Sequence, residues 1–163
     1  MNAQQIREFI LAGNALFTLK SLVSGKHYTF KVQQAAKWSA ALNKAVPVSP
    51  PAWHVKVLNG PDNSRNYRAI GLLRNGVFAY RLSDRERNSA SAFNWFWRML
   101  NEGSEERFVA QCQFNHAGRC GRCGRLLTTP ESVAAGIGPE CQDKMAFEAA
   151  GGVDGLMNQL FGG

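Results

Sequence analysis

All four cysteines of this chain fall within one 30-residue window: Cys112, Cys120, Cys123 and Cys141. A protein held together by disulfides spreads its bridges over the fold, whereas a tight cluster containing a Cys-x-x-Cys points to a metal. Cys120-Gly121-Arg122-Cys123-Gly124 has the form of a zinc knuckle. In a knuckle a sharp turn brings two thiolates to one ion, and a glycine after the second thiolate permits the backbone geometry. Gly138-Pro139-Glu140-Cys141 reads as a helix start, because proline suits the first turn. Cys141 then lies where the partial positive charge of the helix N-terminus favours a thiolate. Knuckle, loop and a ligand at a helix start is the order of a treble-clef zinc site.

Two residues compete for the fourth ligand position, His116 and Cys112. His116 is closer to the knuckle, and Ala117-Gly118 beside it allow a tight return, so spacing favours His116. Three thiolates and an imidazole close a tetrahedron around Zn²⁺, whereas iron–sulfur centres take four thiolates. With four protein ligands the single ion is structural, without an open position for chemistry.

The rest of the chain reads as α+β. Ile6, Phe9 and Ile10 give a short helix over residues 4–12. Ala15, Phe17 and Leu19 alternate on one strand, and Tyr28, Phe30 and Val32 on its return after a Ser24-Gly25-Lys26 turn. The Ala, Lys and Leu content of residues 33–46 suits a short helix, ended by Pro47, Pro50 and Pro51. Trp53, Val55 and Val57 mark a third strand. A second hairpin spans Tyr67 to Leu82 with Asn75-Gly76 at its turn. Asp84 to Asn88 leads into a helix capped by Ser89 or Ser91, with Phe93, Phe96, Trp97 and Leu100 as its apolar stripe. The expected fold is a twisted antiparallel sheet of about five strands covered by helices, plus a small treble-clef-like zinc module near the C-terminus. The expected divisions are a basic α+β domain over 1–101, a zinc module over 107–150, and an amphipathic segment over 151–163. Val153, Leu156, Met157, Leu160 and Phe161 of that segment are expected to pack back on the body.

Charge is unevenly placed. Residues 14–98 hold 13 Lys or Arg against three acids, or +10, while the remainder is −3. Such a field favours a polyanion, most simply DNA or RNA. The candidate contacts are Arg119, Arg122 and Arg125 around the knuckle and Lys20, Lys31, Lys56, Arg68 and Arg74 on the strands, with Lys26, Arg65 and Arg81 nearby. The knuckle arginines have a second reading, in which they neutralise the anionic thiolate site. Tyr67, Tyr80 and Trp53 are candidate stacking residues. No run approaches the 18 or so apolar residues that span a bilayer, and Arg7 and Glu8 interrupt the first apolar run, unlike a signal peptide. A cytoplasmic protein is expected, without membrane contact.

His116-Ala117-Gly118-Arg119-Cys120-Gly121-Arg122-Cys123-Gly124-Arg125, then Leu127-Thr128, Pro130-Glu131-Ser132 and Gly136-Ile137-Gly138-Pro139-Glu140-Cys141, resembles a small cysteine-rich module of unknown function. That module is common in bacteriophage and actinobacterial proteins and is sometimes attached to helicase-like proteins. The resemblance implies His116, Cys120, Cys123 and Cys141 as the zinc set and a phage or prophage origin. Cys112 lies outside the pattern.

Enzyme signatures are missing. His116 is followed by Ala117 and Gly118 rather than the H-x-E of zinc deaminases. There is no nucleophile elbow and no phosphate-binding loop. Asp62, Asp84 and Glu86 are too few in the basic region for a two-metal nuclease. The expectation is therefore a non-catalytic nucleic-acid-binding protein. The alternative is a phage-encoded inhibitor or interaction factor that binds a host protein or defence complex.

Overall fold

The computed structural model describes residues 1–80 and 87–162. Asn2 opens the first helix, α1 (Ala3–Ile10): its side chain accepts from the Gln5 N–H while the Gln5 side chain accepts from its own. Ile6, Phe9 and Ile10 are all buried, as their spacing requires.

The alternating segments form β1 (Asn14–Ser21) and β2 (His27–Gln34), an antiparallel hairpin. Ala15, Phe17 and Leu19 of β1 and Phe30 and Val32 of β2 face the core. Thr18 and Thr29 pair on the opposite face, their hydroxyls 2.8 Å apart. Three further strands, β5 (Ala52–Leu58), β6 (Tyr67–Arg74) and β7 (Val77–Tyr80), extend the sheet. Asn75 and Gly76 both have positive φ, as a two-residue hairpin turn demands.

Residues 33–46 do not form a helix. They form β3 (Ala36–Ser39) and β4 (Lys44–Pro47), a separate two-stranded arm. The segment before the prolines is too short to repay helix nucleation, and Trp38 and Val46 favour extended backbone. Asn43 supplies the turn at φ 51°, a left-handed conformation that asparagine tolerates.

The helix carrying the aromatic stripe, α2 (Arg87–Asn101), buries Phe93, Phe96, Trp97 and Leu100. Phe93 meets Phe30 at 5.3 Å between ring centroids and Phe96 meets Phe17 at 5.8 Å. Each such ring contributes about 1.5–3 kcal/mol by leaving water. Ser89 and Ser91 lie inside α2, so neither caps it. Arg81, Leu82, Asp84 and Glu86 fall outside the described residues.

A short helix, α3 (Glu105–Gln111), leads into β8 (Cys112–His116), which pairs with β1. The main sheet thus has six strands, in the order β7-β6-β5-β2-β1-β8. The strand entering the cysteine region is its edge. One hydrophobic core runs through both parts of the chain, with Cys120, Leu127, Ile137 and Cys141 in the same cluster as Phe9, Phe17 and Phe96.

The remaining elements are α4 (Pro130–Ala135), α5 (Pro139–Ala149) and α6 (Gly152–Phe161). The expected packing of the last segment on the body is not seen: α6 buries none of its residues. Val153, Leu156, Met157, Leu160 and Phe161 are exposed. Beyond the Gly151-Gly152 break α6 meets α5. Among the described residues, no helix is long and apolar enough to cross a membrane.

Candidate metal centre

The knuckle is built by short-range backbone bonds. The Cys120 N–H donates to the Arg125 carbonyl at 2.8 Å, and the Gly124 N–H donates back to the Cys120 carbonyl at 2.9 Å. Gly124 turns at φ 77°, the left-handed value its position calls for. Below the knuckle lies Phe9, fully buried on α1. A Cβ on Gly121 would stand 2.7 Å from the Phe9 ring and 2.9 Å from its carbonyl oxygen, so only glycine lets the knuckle sit this close. The core therefore fixes the knuckle from one side.

The third thiol arrives from the other side. Thr129 caps α4 through a reciprocal box with Ser132, and Gly136 ends that helix. Gly138 then stands at the N-cap of α5 and Pro139 at its first position, as the sequence predicts. Cys141 sits in the first turn. The Sγ atoms of Cys120, Cys123 and Cys141 all lie within 4.8 Å of one another. A tetrahedral Zn²⁺ with 2.3 Å bonds places its sulfurs about 3.8 Å apart, so the three donors suit such an ion in number, type and spacing.

The three thiols influence one another's protonation. Burial raises the Cys120 thiol, but N–H groups of Gly138, Cys123 and Arg122 and the Cys123 thiol outweigh it, lowering it to about 7. The Gly138 N–H lies 3.4 Å from its sulfur. Cys141 is pushed up to about 11 by burial, by the neighbouring thiols and by negative charge on Cys120 and Cys123. Three thiols this close cannot all ionise without a positive charge among them.

The expected fourth ligand does not join this group. His116 Nδ1 accepts from the Gly118 N–H at 3.0 Å, so its proton resides on Nε2, which donates to the Val133 carbonyl at 2.7 Å. Its ring packs 5.5 Å from Phe9. Strand alternation puts His116 beside Phe114 on the core side of β8; Nε2 then joins β8 to α4, while Nδ1 holds the turn at Gly118. Cys112 is also elsewhere: it is buried opposite Ser21 at the far end of β8, its thiol pushed up to about 11 by burial. The fourth side of the thiol cluster borders a cleft of about 200 Å³, lined also by Thr128, Thr129, Ser132 and Glu140.

The knuckle arginines turn to internal partners. Arg122 forks onto Glu148 of α5, with Nη2 to Oε1 at 2.6 Å and Nη1 to Oε2 at 3.0 Å. Arg125 faces Glu140 at 3.5 Å, and Arg119 donates to the Gly124 carbonyl at 3.1 Å. Of the two readings for these residues, local charge compensation fits Arg122 better.

The strand cations stand apart from the thiols. Lys20, Lys31 and Lys56 alternate with core residues and face away from the helices. Lys56 Nζ donates to Gln33 Oε1 at 2.9 Å, and Lys31 Nζ lies 4.7 Å above the Tyr67 ring. Arg68 and Arg74 are exposed on β6. The six strands of the main sheet contain no Asp or Glu, and none occurs between Glu8 and Asp62. Two expected stacking residues are occupied: Trp53 donates to the Leu11 carbonyl at 3.1 Å, and Tyr80 stacks on Phe78 at 5.0 Å. Tyr67 has a buried hydroxyl with no hydrogen-bond partner among the described residues. The aromatic that sequence reasoning passed over is Trp38, exposed on the β3–β4 arm.

Residues 113–146 match a family of unknown function, DUF6011. No curated protein and no solved structure matches the chain.

Proposed function

We propose that this is a non-catalytic nucleic-acid-binding protein whose cationic sheet face holds the phosphate backbone and whose knuckle is stabilised by one structural zinc ion. The observation that carries the reading is charge segregation. Among the described residues acids are confined to helices and loops, while the outer sheet face offers Lys20, Lys31 and Lys56 with no carboxylate on any neighbouring strand. A polyanion meets attraction there without a compensating repulsion. Cys120, Cys123 and Cys141 would hold the zinc; when bound it neutralises their charge and fixes the knuckle against α5. Among the described residues the carboxylate lining the cleft beside the thiols is Glu140, and it faces Arg125 at 3.5 Å.

The test is fluorescence anisotropy with labelled DNA and RNA over a range of salt. Binding should weaken steeply as salt rises, with a slope of about −0.7 per neutralised phosphate for single strands. Replacing Lys20, Lys31 and Lys56 together by Gln should make that slope shallower by about 2. Unchanged binding in this variant, or none in the wild type at micromolar protein, would refute the reading.

A second reading, a phage-type interaction factor for a host protein, draws on α6. Its exposed Leu156, Leu160 and Phe161 suit a protein surface better than a nucleic acid. A partner that is retained through nuclease and high salt, and lost with Leu156→Asp and Leu160→Asp, would favour it.

A further inference from the structure

We infer that the β3–β4 arm is a base-stacking element, with Trp38 as the platform for an unpaired base of single-stranded nucleic acid. The inference rests on the proposed nucleic-acid function and deepens it.

Trp38 is 66% exposed, the most exposed tryptophan in the chain. Trp53 and Trp97 each donate their indole N–H to a carbonyl, of Leu11 and of Gly76. Trp38 has neither a hydrogen-bond partner nor a ring partner among the described residues. Its setting on the arm keeps its ring open. The register places Trp38 opposite Ala45, with Ala36 and Pro47 as its neighbours on the same face. All three are exposed, and all are too small to cover an indole. The other face of the arm carries Lys37, Ser39, Lys44 and Val46, and its half-buried members, Ser39 and Val46, turn that side toward the body. The tryptophan side is thus the outward one.

Charge selects the occupant. The arm lies inside the acid-free stretch between Glu8 and Asp62, which holds six lysines: Lys20, Lys26, Lys31, Lys37, Lys44 and Lys56. Lys37 and Lys44 belong to the arm itself. Lys37 and Lys44 lie on the face opposite Trp38, so a strand stacking a base on the ring would carry its phosphates over the arm's edge to them; cations tracking phosphate and a ring stacking on a base is the pattern by which proteins hold unpaired strands. An acidic protein surface would satisfy the lysines but leave the indole without a flat partner. A duplex keeps its bases stacked on each other, and the side chains wedged between base steps are more often aliphatic or Phe.

The experiment compares a labelled oligothymidylate with an abasic strand of equal length, which carries the same phosphates without bases. The wild type should bind oligothymidylate more tightly and quench tryptophan fluorescence only with the base-bearing strand. Trp38→Ala should weaken oligothymidylate binding about 5- to 150-fold, leave abasic binding unchanged and abolish most of the quenching. Trp38→Phe, which keeps a flat ring, should retain most of the affinity. Exposure of Trp38 means that the fold survives these changes, which circular dichroism verifies. If Trp38→Ala binds oligothymidylate as the wild type does, or if a duplex is preferred, the stacking inference fails while the cationic-sheet reading stands. If the wild type binds neither strand, both fail.

Discussion

Phe9→Ala tests whether the thiol cluster is part of the core or a separate module joined to it. Phe9 is fully buried, and its ring touches Phe17, Phe114 and His116 at centroid distances of 6.4, 5.9 and 5.5 Å. It also fills the space that the missing side chains of Gly121 and Gly136 leave open. Truncating such a ring removes its transfer free energy and leaves a cavity, together about 3–5 kcal/mol. Against a total stability of about 5–15 kcal/mol that is a large share. At about 2–4 °C per kcal/mol for a chain of this size, the midpoint should fall by about 6–20 °C. The second readout is zinc release to a chromogenic chelator. Because Phe9 supports Gly121 in the knuckle and Gly136 before α5, release should be faster in the variant. A large drop in midpoint with unchanged zinc release would show that the cysteine segment holds its metal without the core. A drop below about 3 °C would show that the Phe9 cavity collapses around its neighbours.

His116→Ala should keep one zinc per chain by elemental analysis while lowering the thermal midpoint, since it removes the bonds to Gly118 and Val133; loss of the metal would make His116 a ligand. Zinc affinity should rise with pH, because Cys141, held up to about 11, gives up a proton when the ion binds. The sign follows from competition: below the thiol pKa values protons displace the metal, so a chelator should extract zinc more easily at pH 6 than at pH 8. Arg122→Gln and Glu148→Gln should show a coupling of about 0.2–1 kcal/mol in a double-mutant cycle, as Glu148 is more than half exposed. The same Arg122→Gln protein should bind nucleic acid as the wild type does, because its guanidinium is already paired.

What could be read from sequence was what local rules decide. The alternation in β1 and β2, Asn75-Gly76, and the Gly138-Pro139 helix start each depend on residues within a few positions, and each appears as read. The β3–β4 arm was hidden because Ala, Lys and Leu suit a helix, and only the nearby prolines and the turn at Asn43 tip the balance. A strand entering the cysteine region is legible near Phe108–Phe114, but its place as the sixth strand of the main sheet was hidden for a different reason. Its partner, β1, lies about a hundred residues earlier, and pairing at that separation leaves no periodic trace in five residues. Spacing told how far His116 could reach but not which way it faced. Alternation along β8 set the direction, and two backbone groups then took its nitrogens. For Arg122 the sequence offers phosphate contact or charge compensation at the thiols, and its actual partner, Glu148, lies 26 residues on and meets it only through the docking of α5.

The kind of cation narrows the proposal further. Every positive residue between Glu8 and Asp62 is lysine, whereas the knuckle uses arginine. Arginine presents a planar fork that matches a carboxylate or the edge of guanine, and Arg122 spends it on Glu148. Lysine is a rotatable point charge that follows phosphate without reading bases. A sheet face whose cations at Lys20, Lys31 and Lys56 are all lysine, beside an arm whose ring can stack on any base, should bind with little sequence preference. Strands of different composition but equal length should therefore differ far less in affinity than the same strand does across a fourfold change of salt. A marked preference for one sequence would mean that some fixed, directional donor reads base edges, which neither the lysine face nor Trp38 can do.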